Sequence, residues 1–215
     1  AVDYLYKKQL EDQKLSQLLS LGTMGLGKNR RLVPTRWSIT TVDDIIGKNL
    51  IKKVKDCSII EDYSLYYGNF LGNYYLVFLF PEVFSYELFE MYLPGSSWNP
   101  TIGNQVGEIT VATDYESYNG RKNYASNCVG GYYAARLPLL ETLKKNKKQA
   151  SILVLRFETP DYWAGLGVWV VREAMKKTMD TKKFIFNDRE SMIEQGRKII
   201  LDELNFDINN ILVRS

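Results

Sequence analysis

The 215 residues are 45% hydrophobic and 25% charged with a formal charge of +3, the make-up of a globular chain long enough to bury a core without staples. No histidine is present, which excludes Ser-His-Asp and Cys-His catalysis and His-ligated zinc, copper or iron from this chain's own residues. The two cysteines, Cys57 and Cys128, form no CxxC pair and read by default as free thiols, with a disulfide as the alternative, so zinc ribbons are excluded and any metal would be a hard cation such as Mg²⁺ on carboxylates and carbonyls.

In chain order, Tyr4 to Leu21 places leucines among charged positions and predicts one amphipathic helix, closed by the glycines of GTMGLGKN. Leu32 to Ile39 is expected to be extended, because Val33 precedes Pro34. Thr41 is the expected cap of the next helix, with Asp43 and Asp44 at its positive end and Lys52, Lys53 and Lys55 at its negative end. Ser58 to Tyr67, Tyr74 to Phe80 and Phe84 to Leu93 predict an antiparallel meander, and Pro94 to Gly107 a long functional loop. A strand at ITVATDYESY and an Asn-Gly turn follow. Gly130-Gly131 opens a helix running to about Lys145 with Pro138 inside it. Gln149 to Glu158 predicts a buried strand, Leu166 to Met179 a helix, Lys183 to Phe186 a short strand and Glu190 to Leu204 a closing helix. The expected fold class is α+β, a mostly antiparallel or mixed sheet packed with helices, in a single compact domain over residues 1–215 with no internal linker. No apolar run reaches membrane-spanning length and the N-terminus lacks a signal-peptide layout, so a cytoplasmic location without membrane contact is expected. Ala1 in place of Met is what a processed product or a fragment would show.

Charges inside apolar runs are the first functional clue, since Arg, Asp and Glu are rarely buried unless paired. Arg136, Arg156 and Arg172 read equally as structural ion pairs or as ligand contacts. Glu87 and Glu90 fit one solvent face of an edge strand. Arg121, Lys122 and Tyr124 surround a turn, and Gly130-Gly131 leads into a helix whose free N–H groups could meet an anion. Without a GxGxxG or Walker lysine this reads as readily as a turn that starts a helix. The stretch NRRLVPTRWSITTVDD has the same construction. Arg31 and Arg36 could hold phosphate, Trp37 could stack on a base, and Asp43 and Asp44, like Glu173, are candidate acid–base or Mg²⁺ groups. Helix-start electrostatics explain both aspartates equally well.

The blocks RRLVPTRWSITTVDD, YLPGSSW, GRKNYA, GGYYAARLPLLE and YWAGLGVWVVRE, in this order, resemble the archaeal DNA repair protein family NreA, specifically its C-terminal half, with the N-terminal half missing. The resemblance implies a role in DNA damage repair and suggests the sliding clamp PCNA as a partner. The family's clamp motif is absent here, because Gln195 is followed three positions on by Lys198 and by no aromatic pair. It implies no agreed reaction. Three readings follow: a protein that binds nucleic acid through a basic and aromatic cleft, an enzyme acting on a nucleotide or nucleic-acid phosphate, and a scaffold joining repair partners.

Overall fold

The computed structural model describes residues 1–30, 32–100, 108–162 and 165–208, apart from the side chains of Asn29 and Arg36. The amphipathic start forms two helices, α1 (Val2–Lys7) and α2 (Asp12–Ser20), where one was expected. Gln9 takes a left-handed φ of 64° between them, a conformation that no L-residue helix continues through. Helix α3 (Thr35–Lys55) begins well before the expected cap, with Pro34 at the N-cap position. Thr41 therefore lies inside the helix, its hydroxyl donating to the Trp37 carbonyl at 2.8 Å. Proline restricts the residue before it, not the one after, so only Val33 had to stay extended.

The remaining elements are β1 (Ser58–Ile59), β2 (Tyr63–Phe70), β3 (Asn73–Phe80), β4 (Ser85–Tyr92), β5 (Thr110–Glu116), α4 (Val129–Lys145), β6 (Lys148–Gln149), β7 (Ser151–Glu158), α5 (Val168–Met179), β8 (Phe184–Phe186) and α6 (Arg189–Leu204). Strands β1 and β6 form a small parallel pair, and the main sheet has the order β5-β4-β7-β3-β2-β8. The expected meander covers only β2 and β3. Strand β7 inserts between β3 and β4, antiparallel to the first and parallel to the second. The sequence explains this placement: β3 and β7 are buried on both faces and need central positions, whereas β4 alternates and β5 leaves Thr110 and Val111 exposed at the edge. Among the described residues the fold is thus α+β with a mixed sheet, as expected.

Helices α1 to α5 cover one face, over Tyr75, Val77, Leu88, Ile152 and Val154. Helix α6 covers part of the other, where Met192 and Ile200 meet Leu76, Phe78 and Leu155. Helices α3, α4 and α5 run in the same sense. Thr40 lies beside Gly130 and the later Gly47 beside Arg136, while Asp43 bonds Arg172 one turn into α5. All three therefore begin at one end of the molecule. No helix among the described residues is long and apolar enough to cross a membrane.

The β2–β3 turn depends on Gly72, which has a φ of +71° and would press a Cβ to 2.5 Å from the Tyr162 backbone nitrogen. Gly120 has a φ of +79° but open space around it. Gly120→Ala should cost only the left-handed penalty, about 1–2 kcal/mol. Gly72→Ala should cost that plus a backbone displacement, roughly 1–3 kcal/mol more, read as the difference between the two urea-unfolding midpoints. Equal losses would show that the Tyr162 backbone yields freely.

Candidate functional site

Four arginines proposed for ligand contact or ion pairing are bonded to protein groups. Arg156, 4% exposed on β7, donates through Nε and Nη2 to Asn73 Oδ1 (2.9 and 2.6 Å), through Nη2 to Glu158 Oε2 (2.9 Å) and through Nη1 to Glu90 Oε1 (2.6 Å). Arg136 on α4 donates to Glu116 at 2.7 Å and Asp44 at 3.2 Å, and lies over the Tyr132 and Tyr133 rings. Arg172 on α5 pairs with Asp43 at 2.7 Å and with Asp12 at 3.2 Å. Arg121 donates to Asp114 at 2.7 Å and to the carbonyl of Tyr115 at 2.8 Å. Asp114 in turn accepts from the backbone N–H of Asn127 and Cys128 (2.9 and 2.8 Å), anchoring the loop that enters α4.

The aspartates are spent in the same way. Asp43 and Asp44 sit inside α3, each facing a different arginine. Burial pushes the Asp43 carboxyl up from 3.8 to about 6, against the opposing pull of Arg172. Glu173 is half-buried beside Lys176 at 3.2 Å. Among the described residues no cluster of three or more carboxylate or thiol side chains could hold a metal.

Glu87 and Glu90 do not share a face. They are three residues apart on a strand, so the pleat sends them to opposite sides, and β4 is not an edge strand. Glu90 is buried with Arg156 under the helices, and also accepts from the Tyr92 hydroxyl at 2.8 Å. It lies directly under the start of α4: a Cβ on Gly131 would stand 2.5 Å from Glu90 Oε1, and one on Gly130 would stand 2.6 Å from Val168 and 2.9 Å from Thr40 Oγ1. The glycine pair therefore lets α4 approach the sheet, α3 and α5, and a protein carboxylate already sits at its positive end.

Above Glu90 and Arg156 lies a cavity of about 350 Å³, walled by Tyr92, Trp98, Cys128, Val129, Tyr162 and Val168. It stands outside the carboxyl ends of the parallel strands β4 and β7, the position at which open sheets with parallel strands hold ligands. Val129, a β-branched residue at a left-handed φ of +47°, borders it; such strain persists only where surrounding structure enforces it. Burial pushes the Cys128 thiol up, so it is no thiolate nucleophile. A second cavity of about 440 Å³ lies where α2, α3 and α5 meet, lined by Ser16, Thr35, Ser38, Trp169 and Arg172.

The rim of this end is aromatic. Trp98 is 67%, Trp37 51%, Tyr124 45% and Trp169 41% exposed. Tyr124 stacks on Tyr133 with centroids 4.9 Å apart and shares a hydrogen bond with Thr40, which places the GRKNYA loop, including exposed Lys122, against α3. So Trp37, Lys122, Tyr124, Gly130 and Gly131 come together at one end; Arg136 lies deeper in α4, and Arg156 forms the cavity floor. Arg31 lies outside the described residues, as do residues 101–107 of the expected loop, and Arg36 is placed only as backbone in α3. Sequence reasoning missed Trp98, Trp169, Tyr92 and Tyr162. The available signal was the parity of β4, which puts Glu90 on the face of Tyr86 and Leu88.

Two outcomes test this wiring. Arg156→Ala strands Glu90 and Glu158 without their counter-ion and should cost about 3–5 kcal/mol in urea unfolding. The Asp43 carboxyl loses its proton near pH 4 when unfolded and near pH 6 when folded, so the folded state binds the proton more tightly between those values. Its contribution to stability is greatest below pH 4 and falls as the pH rises to about 6, by roughly 2–3 kcal/mol. Asp43→Asn should lack that component, and unfolding curves for both proteins between pH 3.5 and 7 would show their difference narrow or invert with rising pH. A constant difference would place the titration elsewhere.

The family model for the archaeal Nre N-terminal region matches residues 1–99, and that for the Nre C-terminal region matches residues 116–213. The likeness is thus not confined to a C-terminal half. The chain is 39% identical over 180 residues to DNA repair protein NreA of Haloferax volcanii, covering 84% of this chain and 42% of that protein. It is also 39% identical over 186 residues to NreA of Archaeoglobus fulgidus (86% and 46% covered) and 34% identical over 216 residues to DNA repair protein NreB of the same organism (100% and 52%). The chain spans about half the length of the curated relatives it matches. No solved structure matches it. With both regions matched across nearly its whole length, the chain belongs to the archaeal Nre family.

Proposed function

We propose that this chain acts in DNA repair by binding unpaired or distorted DNA across the end of the molecule at which α3, α4 and α5 begin. The repair setting is supported by the relatives, which carry the name DNA repair protein. The binding mode is supported by one observation above all: exposed Trp37, Trp98, Tyr124 and Trp169 gather around that end. Aromatic faces on a positively polarised surface are the means by which proteins hold single strands, since every base has a face to stack and every nucleotide a phosphate. Lys122 supplies an exposed charge two residues from Tyr124, and Arg30 and Arg31 precede α3 in the sequence while Arg36 falls at its start. Arg121, Arg136 and Arg172 act behind this surface, as the ion pairs that fix its shape.

Fluorescence-anisotropy titrations of single-stranded, duplex and forked DNA at several salt concentrations test this. Single-stranded and forked DNA should bind more tightly than duplex, with log K falling linearly against log salt. Lys122→Ala should flatten that slope by about one phosphate contact on every sequence. Trp169→Ala should weaken single-strand binding by roughly fivefold to a hundredfold, the worth of one stacked base. Absence of binding at low salt, or a slope and affinity unmoved by both variants, would remove this surface from the function.

A further inference from the structure

We infer that the cavity above Glu90 and Arg156 receives a nucleobase carrying an amino N–H, with phosphates left outside at the rim. Where the base comes from DNA, the inference rests on the binding surface proposed above; the cavity's own chemistry is independent of it. A volume of about 350 Å³ is at the low end of small-molecule sites, roughly 300–1,000 Å³, and suits a single base or nucleoside. Its walls are apolar and aromatic, with Trp98 and Tyr162 alongside Val129 and Val168.

The floor decides between base and phosphate. Arg156 there is balanced by two carboxylates, Glu90 at 2.6 Å and Glu158 at 2.9 Å, and burial already pushes the Glu158 carboxyl up against the pull of Arg156, so this trio has no net positive charge to offer an anion. A phosphate lowered onto it would meet no counter-charge in a desolvated site. The positive start of α4 gives no relief, because Glu90 already lies beneath Gly131 and Asp114 already takes the N–H groups of Asn127 and Cys128. A neutral base meets no such penalty. Glu90 retains acceptor capacity beyond its bonds to Arg156 and Tyr92. Arg156 makes four hydrogen bonds among the described residues, which leaves one of its five N–H groups for a ring nitrogen or carbonyl. An acceptor beside a donor, between aromatic walls, matches the edge of an amino-bearing base held out of its stack.

The test uses the whole chain and 2-aminopurine 2′-deoxyriboside, a fluorescent nucleoside without phosphate. Its anisotropy should rise saturably with protein. Deoxyadenosine should compete, and inorganic phosphate and deoxyribose 5-phosphate should not. Val129→Trp, which sets an indole in the mouth, and Trp98→Ala, which removes an exposed wall, should each weaken binding about tenfold or more. A second arm places 2-aminopurine unpaired in a DNA bulge, where insertion should shield it from acrylamide quenching and Val129→Trp should abolish the shielding. Competition by phosphate in place of the base overturns the inference, as does an unbound nucleoside together with an unshielded bulge. If that second result accompanies tight single-strand binding, the cavity falls and the surface stands. Nucleoside binding by a protein that ignores DNA does the reverse.

Discussion

Arg156 holds a full charge in the centre of a sheet, 4% exposed, where an unpaired ion would cost several kcal/mol. It is tolerable because three strands meet it in register: Asn73 from β3, Glu90 from β4 and Glu158 from its own strand. Tyr75, Arg156 and Glu90 lie directly across from one another. A slip of one residue in β7 would turn the guanidinium to the face occupied by Leu153, Leu155 and Phe157. The ion cluster therefore fixes the register of the one parallel pair in the main sheet, and with it the position of Glu90. Glu90 then requires a glycine at position 131, which sets how closely α4 descends, and the packing of Gly130 against Thr40 and Val168 sets α3 and α5.

The helix layer repeats the device. Asp43 and Asp44 are adjacent, so their side chains leave α3 about 100° apart; one reaches Arg172 on α5 and the other Arg136 on α4. A single turn of α3 thereby clamps both of its neighbours. Buried pairs of this kind add little net stability over apolar packing. What they supply here is a defined rotation for each helix, and hence a defined arrangement of the aromatic rim.

Much of this was legible in the residues. Strand and helix order followed from apolar periodicity, and the anomalous arginines inside apolar runs did mark positions of structural consequence. Three features were not legible for identifiable reasons. The location of β7 between β3 and β4 is a long-range pairing, and only the continuous burial of both strands hinted at it. The partners of Arg136, Arg156 and Arg172 lie from two to well over a hundred positions away, so spacing could say that they needed carboxylates but not which ones. Trp98 and Trp169 escaped notice because an exposed aromatic gains meaning from its neighbours, and those are set by the convergence of three helix starts.

That convergence has an electrical consequence. In an up-and-down bundle neighbouring helix dipoles cancel; here α3, α4 and α5 point the same way and their fields add, each end carrying about half a charge per helix. The last turns hold Lys52, Lys53 and Lys55 on α3, Lys144 and Lys145 on α4, and Lys176 and Lys177 on α5. These lysine clusters, which by composition alone could pass for a polyanion-binding face, sit where they offset the negative poles. The opposite poles have no matching set of acids in their first turns. The pole of α4 is met from outside its own first turn by Glu90 and Asp114, so the starts of α3 and α5 supply the positive field that can orient an approaching strand before any side chain touches it.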